Sequence, residues 1–188
     1  MTFYKTMKGT FANEYKTRSD EYKTRLSLWS SQPSVSRIDK PTNIARAREL
    51  GYKAKQGVVV VRVRVLGGKK KRQQAGGGRK PSKSGRFFSR QKSPQSIAEE
   101  RAATKFSNCE VMNSYFVGEA GTEKYFEVIM LDRTSPVVLS DAQYSQVVRQ
   151  KGRASRGLTY QGRKHRGIRN KGFGTARFRP SKRANNRG

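Results

Sequence analysis

The sequence predicts an α+β fold, a small antiparallel sheet packed with helices, from which a long basic non-globular loop and a basic C-terminal extension project. Three observations carry the prediction. Residues 58–65 are β-branched, and Val61-Arg62-Val63-Arg64-Val65 alternates with the period of a strand. Residues 110–117 and 124–131 read as two more strands, joined by the glycine-containing loop 118–123 into a hairpin. Two stretches without a single Asp or Glu, 69–92 and 149–188, hold net charges of +10 and +14. The chain therefore divides into an N-terminal helical basic region (1–56), an α+β core (57–148) interrupted by a basic Gly-rich loop (67–92), and a Gly/Arg-rich extension (149–188).

Each element has its own justification. Phe11, Tyr15, Tyr22, Leu26 and Trp29 recur at helical spacing on one face, within the echo Glu14-Tyr15-Lys16-Thr17-Arg18 and Glu21-Tyr22-Lys23-Thr24-Arg25. Two heptads are too few for a coiled coil, and Pro33 ends the pattern. Pro41-Thr42-Asn43 leads into a short basic helix over 44–50, with Gly51 placed to cap it. The strand 58–65 should have one buried face and one basic face. Ser93-Pro94 opens another helix, since a first-turn proline has no N–H to leave unsatisfied. Ile97, Ala98, Ala102 and Phe106 form its apolar face, and Glu99 and Glu100 lie near its positive end. Residues 134–148 (Pro136, Val137-Val138-Leu139, Tyr144, Val147-Val148) keep no single period and are expected to wrap the core.

Charge and composition exclude several functions. The chain has 188 residues with 42 Lys+Arg against 13 Asp+Glu, a net charge of +29, and an isoelectric point near 11.0. A compact chain with this charge repels itself unless a polyanion neutralises it, which argues against a free enzyme acting on a small-molecule substrate. The longest apolar run, 58–61, falls far short of the roughly 20 residues that cross a bilayer, so no membrane partner is expected. The opening residues have no apolar stretch and read as no signal peptide. A single cysteine, Cys109, makes no internal disulfide or cysteine metal site, and a single histidine, His165, leaves little for zinc. An intracellular, polyanion-bound protein without a cofactor remains.

The candidate binding residues follow the charge. Lys53 and Lys55 precede the strand, and Arg62 and Arg64 lie on its basic face. The loop supplies Lys69, Lys70, Lys71, Arg72, Arg79, Lys80, Lys83, Arg86, Arg90 and Lys92. The extension supplies Arg153, Arg156, Arg163, Lys164, His165, Arg166, Arg169 and Lys171, then Arg177, Arg179, Lys182 and Arg183, with Phe173 suited to stacking on an unpaired base. Each cation that reaches a phosphate releases a counterion. Arginine binds phosphate bidentately, and residues 149–188 hold 10 Arg to 4 Lys. Such stretches bury too little apolar surface to order alone, and order against something anionic. RNA is favoured over DNA because no helix-turn-helix, zinc finger or basic zipper is present.

Three motifs suggest chemistry and fail on inspection. Gly157-Leu158-Thr159-Tyr160-Gln161-Gly162-Arg163-Lys164 has the glycine spacing of a phosphate-binding loop, but the second glycine is not followed by Lys and Ser/Thr. Glu99 and Glu100 are helix neighbours about 100° apart and do not converge, so dipole and packing roles are expected. Cys109 at a strand start and His165 in a basic run have nothing to bring them together, and Cys109 is expected to be buried and inert. Cations around His165 should depress its protonation. An RNA-modifying enzyme with basic docking arms lacks a pocket or acid/base pair in this sequence, and a DNA-compacting chromatin protein would need a preference for duplex DNA.

Specific blocks carry a family resemblance. Leu50-Gly51-Tyr52-Lys53-Ala54-Lys55-Gln56-Gly57-Val58-Val59-Val60-Val61-Arg62-Val63-Arg64-Val65, Ala98-Glu99-Glu100-Arg101-Ala102, Asn113-Ser114-Tyr115-Phe116-Val117-Gly118-Glu119 and Tyr125-Phe126-Glu127-Val128-Ile129-Met130-Leu131-Asp132 stand in order. In the extension, Arg156-Gly157-Leu158-Thr159 and Gly162-Arg163-Lys164-His165-Arg166-Gly167 complete the set. Together they resemble large-subunit ribosomal protein fifteen in its archaeal and eukaryotic form, a family unrelated to the similarly numbered bacterial protein. The match spans about residues 37–171; segments 1–36 and 172–188 match poorly, and Phe116 replaces a tryptophan common in relatives. The resemblance implies a cytoplasmic constituent of the large ribosomal subunit, a small α/β domain with extensions threaded into large-subunit rRNA. Its partners would be that RNA and neighbouring large-subunit proteins, with Mg2+ bound only through RNA and no homo-oligomer.

Overall fold

The structure, a computed structural model, describes residues 3–68, 70–71, 77–78, 87–88 and 92–168. Its centre is a four-stranded antiparallel sheet in the order β1-β2-β6-β5: β1 is Val35–Ile38, β2 Val58–Leu66, β5 Cys109–Ala120 and β6 Glu123–Asp132. The short strands β3 (Lys70–Lys71) and β4 (Phe87–Phe88) pair with each other at the ends of the basic loop. The α+β expectation holds.

β6 shows how the two faces are built. Phe126, Val128 and Met130 point to the face covered by α4 (Pro94–Lys105), where they meet Val61, Val63, Val65, Ala98, Ala102 and Val111. The alternate residues Tyr125, Ile129 and Leu131 point the other way. There α2 (Asp20–Ser31) supplies Tyr22, Leu26 and Trp29 against Tyr125, and α3 (Ile44–Glu49) supplies Ala47 against Ile129. Val138 of α5 (Pro136–Ser140) and Tyr144 and Val148 of α6 (Ala142–Val148) close over Leu131. Tyr125 to Leu131 are consecutively buried because helices cover both sides of a central strand.

Helix starts follow the side chains read in the sequence. Ser93 caps α4 with its hydroxyl accepting from the Ser96 N–H at 3.2 Å, and Pro94 takes the first turn. Asn43 caps α3 through the Arg46 N–H at 2.9 Å, and Gly51 follows it at φ +95°. The region 134–148 wraps the core as two short helices.

Four expectations need correction. The helical pattern over 11–30 is two helices: α1 (Phe3–Thr17) ends before Arg18, which sits at φ +54°, and Ser19 starts α2 by accepting from the Tyr22 N–H. Arg18 is held in that uncommon conformation by donating to the Glu119 carbonyl at 2.9 Å and by lying over the Tyr15 and Tyr22 rings. A fourth sheet strand, β1, lies within the region read as helical. The hairpin loop shrinks to Gly121-Thr122, because Ala120 pairs with Glu123. The C-terminal extension does not leave the body at 149. Residues 149–168 fold onto it through α7 (Arg153–Arg156) and α8 (Tyr160–His165).

Candidate nucleic-acid interface

The folded part of the extension is held by buried carboxylates. Glu110 accepts from the Gly152 N–H at 2.8 Å and the Arg153 N–H at 3.4 Å. Glu99, fully buried on α4, accepts from the hydroxyls of Ser114 on β5 and Thr159. Thr159 in turn caps α8, its hydroxyl oxygen accepting from the Gly162 N–H at 3.1 Å. Burial pushes the Glu99 carboxyl above its ordinary pKa, and the two hydroxyls and Arg153 oppose that shift. Glu100, its neighbour, turns outward to Lys92 at 2.7 Å, so the pair does not converge, as expected from helix geometry.

The glycine spacing that imitates a phosphate loop has a packing cause. Gly157 ends α7 at φ +72°, and a Cβ on Gly162 would lie 2.6 Å from the Gly157 Cα. The two backbones touch at Gly162, which leaves it no room for a side chain, while a Cβ on Gly157 would meet the Arg166 guanidinium and its positive φ favours glycine. Gly162→Ala should cost about 1–3 kcal/mol by forcing α7 and α8 apart. Hydrogen exchange should then rise across residues 152–168 while β2 and β6 keep their protection; unchanged exchange there would contradict the packing role.

The candidate residues fall into distinct groups. Arg163 and Lys164 are exposed on α8 and have no carboxylate partner among the described residues. Arg166 donates to the Ser155 carbonyl at 3.3 Å, and its guanidinium lies against Gly157. The His165 Nδ1 lies 3.2 Å from the Gln161 carbonyl oxygen. Its pKa is lowered, first by burial and then by Arg166 and Lys92, so the expected depression holds with a further cause. Arg153 donates to the Val111 carbonyl at 2.8 Å, and burial lowers its pKa. The Nε atoms of Arg153 and Arg156 are buried, with no partner among the described residues. Lys53 and Lys55 converge on Asp141 at 2.8 and 3.3 Å, and the Lys53 bond leads in holding that carboxyl down to about 2.

Arg62 and Arg64 differ most from the sequence reading. The face of β2 that carries them is covered by α2. Arg62 is only 11% exposed in its side chain, lies 4.2 Å over the Trp29 ring and faces Glu127 at 3.6 Å. Arg64 donates to the Ser30 carbonyl at 2.6 Å and pairs with Glu123 at 3.4 Å. Strand alternation tells which residues share a side, but not what covers that side. The strand register gives the missing signal, since Arg62 stands directly opposite Glu127. Lys70 and Lys71 lie on β3, whose backbone pairs with β4. Lys69, Arg72, Arg79, Lys80, Lys83, Arg86 and Arg90 lie outside the described residues, as do Arg169, Lys171, Phe173, Arg177, Arg179, Lys182 and Arg183. Cys109 is buried, and among the described residues no His, Cys, Asp and Glu cluster could hold a metal. No described helix is long and apolar enough to cross a membrane.

The family model for Ribosomal L15 matches residues 2–185. The chain belongs to this family. It is 49% identical over 158 residues to a protein of Methanocorpusculum labreanum named large ribosomal subunit protein eL15, covering 84% of this chain and 81% of the relative. It is 50% identical over 176 residues to the protein of that name in Picrophilus torridus, covering 90% of each. A Ribosomal L15 chain is a structural ribosomal constituent, not an enzyme. The match extends beyond 37–171 at both ends, taking in α1, α2 and most of the basic tail.

Proposed function

We propose that this Ribosomal L15 family member is a cytoplasmic constituent of the large ribosomal subunit. It binds and stabilises folded large-subunit rRNA through its basic segments, beside neighbouring large-subunit proteins. The partition of charge carries this reading. Four of the cations predicted to bind on the sheet and its flanks face carboxylates: Arg62 with Glu127, Arg64 with Glu123, and Lys53 and Lys55 with Asp141. Residues 149–188 contain no Asp or Glu at all, and α8 holds Arg163 and Lys164 outward at their start. A polyanion supplies the missing negative charge, and large-subunit RNA is the polyanion that the relatives' names support.

Neutralising Arg163, Lys164 and Arg166 together with glutamine should weaken binding to large-subunit rRNA. It should also reduce the slope of log affinity against log salt by about one for each phosphate no longer neutralised. Equal slopes for parent and variant would remove this segment from the interface. In extracts, the parent should sediment with the large subunit through a moderate-salt wash. A free or DNA-bound pool without a large-subunit peak would overturn the ribosomal placement.

A further inference from the structure

β5 is the last strand of its sheet, and an open edge ordinarily offers N–H and C=O groups to an added strand. Side chains cap this edge. Gln95 Nε2 donates to the Ser114 carbonyl at 2.9 Å, Asn113 Oδ1 accepts from the Ser114 N–H at 3.0 Å, and Arg153 occupies the Val111 carbonyl. Register shifts at Val111/Asn113 and at Phe116/Gly118 also interrupt the strand. A peptide adding as a strand finds these groups taken.

Beside that edge lies a cleft of about 410 Å³, lined by Arg46, Gln95, Asn113, Phe116, Tyr160 and Gln161 among others. Its size is that of a small-ligand site. Phe116 and Tyr160 are 38% and 47% exposed, high for aromatic residues beside a core. Three amide side chains accompany them, and each amide carries a donor and an acceptor, as the edge of a nucleobase does. Gln95 Nε2 and Asn113 Oδ1 are already bonded within the protein, and among the described residues no hydrogen bond takes the Gln95 oxygen or the Asn113 nitrogen. The walls are fixed from below, because Glu99 holds both Ser114 and Thr159, the residue before Tyr160. Arg46 stands at the cleft, and Arg163 and Lys164 follow Tyr160 on α8.

We propose that this cleft captures a single unstacked RNA base, with the Phe116 or Tyr160 ring on its face, the amides on its edge and the cations on its phosphates. The proposal rests on the RNA reading above and adds to it a base-stacking site where the folded start of the basic extension meets the edge of β5. Aromatic rings stack on any base, so the site selects an unpaired nucleotide by shape before sequence.

The test uses the full chain and transcribed large-subunit rRNA. Phe116→Leu keeps an apolar side chain against Tyr15 and Phe126, its ring neighbours, while removing the stacking surface. Tyr160→Leu does the same at an exposed position. Each should weaken binding roughly tenfold with an unchanged salt slope, because every cation that reaches a phosphate stays in place. Phe116→Trp should restore it. Short-wavelength ultraviolet cross-linking should place nucleotide adducts on peptides containing 113–116 or 160–161. Full binding by both leucine variants with no adducts there would overturn the base site and leave the RNA reading intact, as would a cleft filled by a neighbouring protein. Failure of the parent to bind this RNA would overturn both.

Discussion

Glu127→Ala should destabilise the protein by about 3–5 kcal/mol, the largest loss expected from a single substitution in the sheet. Glu127 is fully buried at the middle of β6. It accepts from the Thr42 N–H at 3.0 Å and from the hydroxyls of Thr42 and Tyr115, with Arg62 3.6 Å away. Removing the carboxylate leaves a nearly enclosed guanidinium over Trp29 with no counter-charge, and strips the acceptor from the Thr42 and Tyr115 groups. Burial already pulls the Arg62 pKa down, and Glu127 is the main influence opposing it. Arg62→Met alone should also destabilise strongly, since it leaves the carboxylate buried without its cation. Joining Arg62→Met to Glu127→Leu should recover the part of the loss that comes from the unpaired charge, because an apolar pair needs no counter-ion, while Thr42 and Tyr115 still lack their acceptor. Denaturant unfolding of the parent, Arg62→Met, Glu127→Leu and the double variant checks this. A double variant as unstable as the sum of its parts would contradict the ion-pair reading.

The second large effect concerns Glu99. Glu99→Ala leaves the buried hydroxyls of Ser114 and Thr159 without their acceptor and opens a cavity between α4 and α8, at a cost on the order of 3 kcal/mol. Glu99→Gln behaves differently because it keeps a polar group in place. The parent carboxyl has a pKa raised above 4.5 in the folded state, chiefly by burial. Between its unfolded and folded values the folded state binds more protons, so its contribution is fullest below the unfolded value and shrinks as pH rises to the folded one. The stability of Glu99→Gln minus that of the parent should therefore rise as pH increases from 4.5 through the raised folded value. Taking the difference cancels groups shifted the other way, such as Glu119, whose carboxyl is lowered first by its bond from Tyr15. A pH-independent difference would mean that Glu99 is ionised alike in both states.

Much of this architecture could be read from the chain because period and burial coincide. The alternation in 58–65, the paired runs of β5 and β6, and the Ser93-Pro94 helix start each carry a local signature. What escaped had none. β1 is four residues long and includes Ser36 and Arg37, so it shows no apolar run. The break between α1 and α2 falls inside a repeat of Tyr-Lys-Thr-Arg, and depends on Arg18 reaching a carbonyl 101 residues away. Glu99 was legible as a packing residue but not as a hub, because Thr159 lies 60 residues on. Arg62 and Arg64 looked like outward cations because covering helices leave no mark on strand alternation. Of the interface, the exposed cations of α8 were plain from composition, whereas the cleft at Phe116 requires knowing that α3, α4, β5 and α8 meet.

The way α8 fastens to α4 also sets an order of events during synthesis. Glu99 leaves the translating ribosome 60 residues before Thr159, the second hydroxyl its carboxylate needs. Until then the helix, sheet and hairpin can gather, but one buried oxygen of Glu99 has no donor from the chain. Completion of the body thus waits for the segment around Thr159, the same segment that begins the cationic tail. A truncated product stopping before Thr159 would lose both the tail and the final lock on its interior.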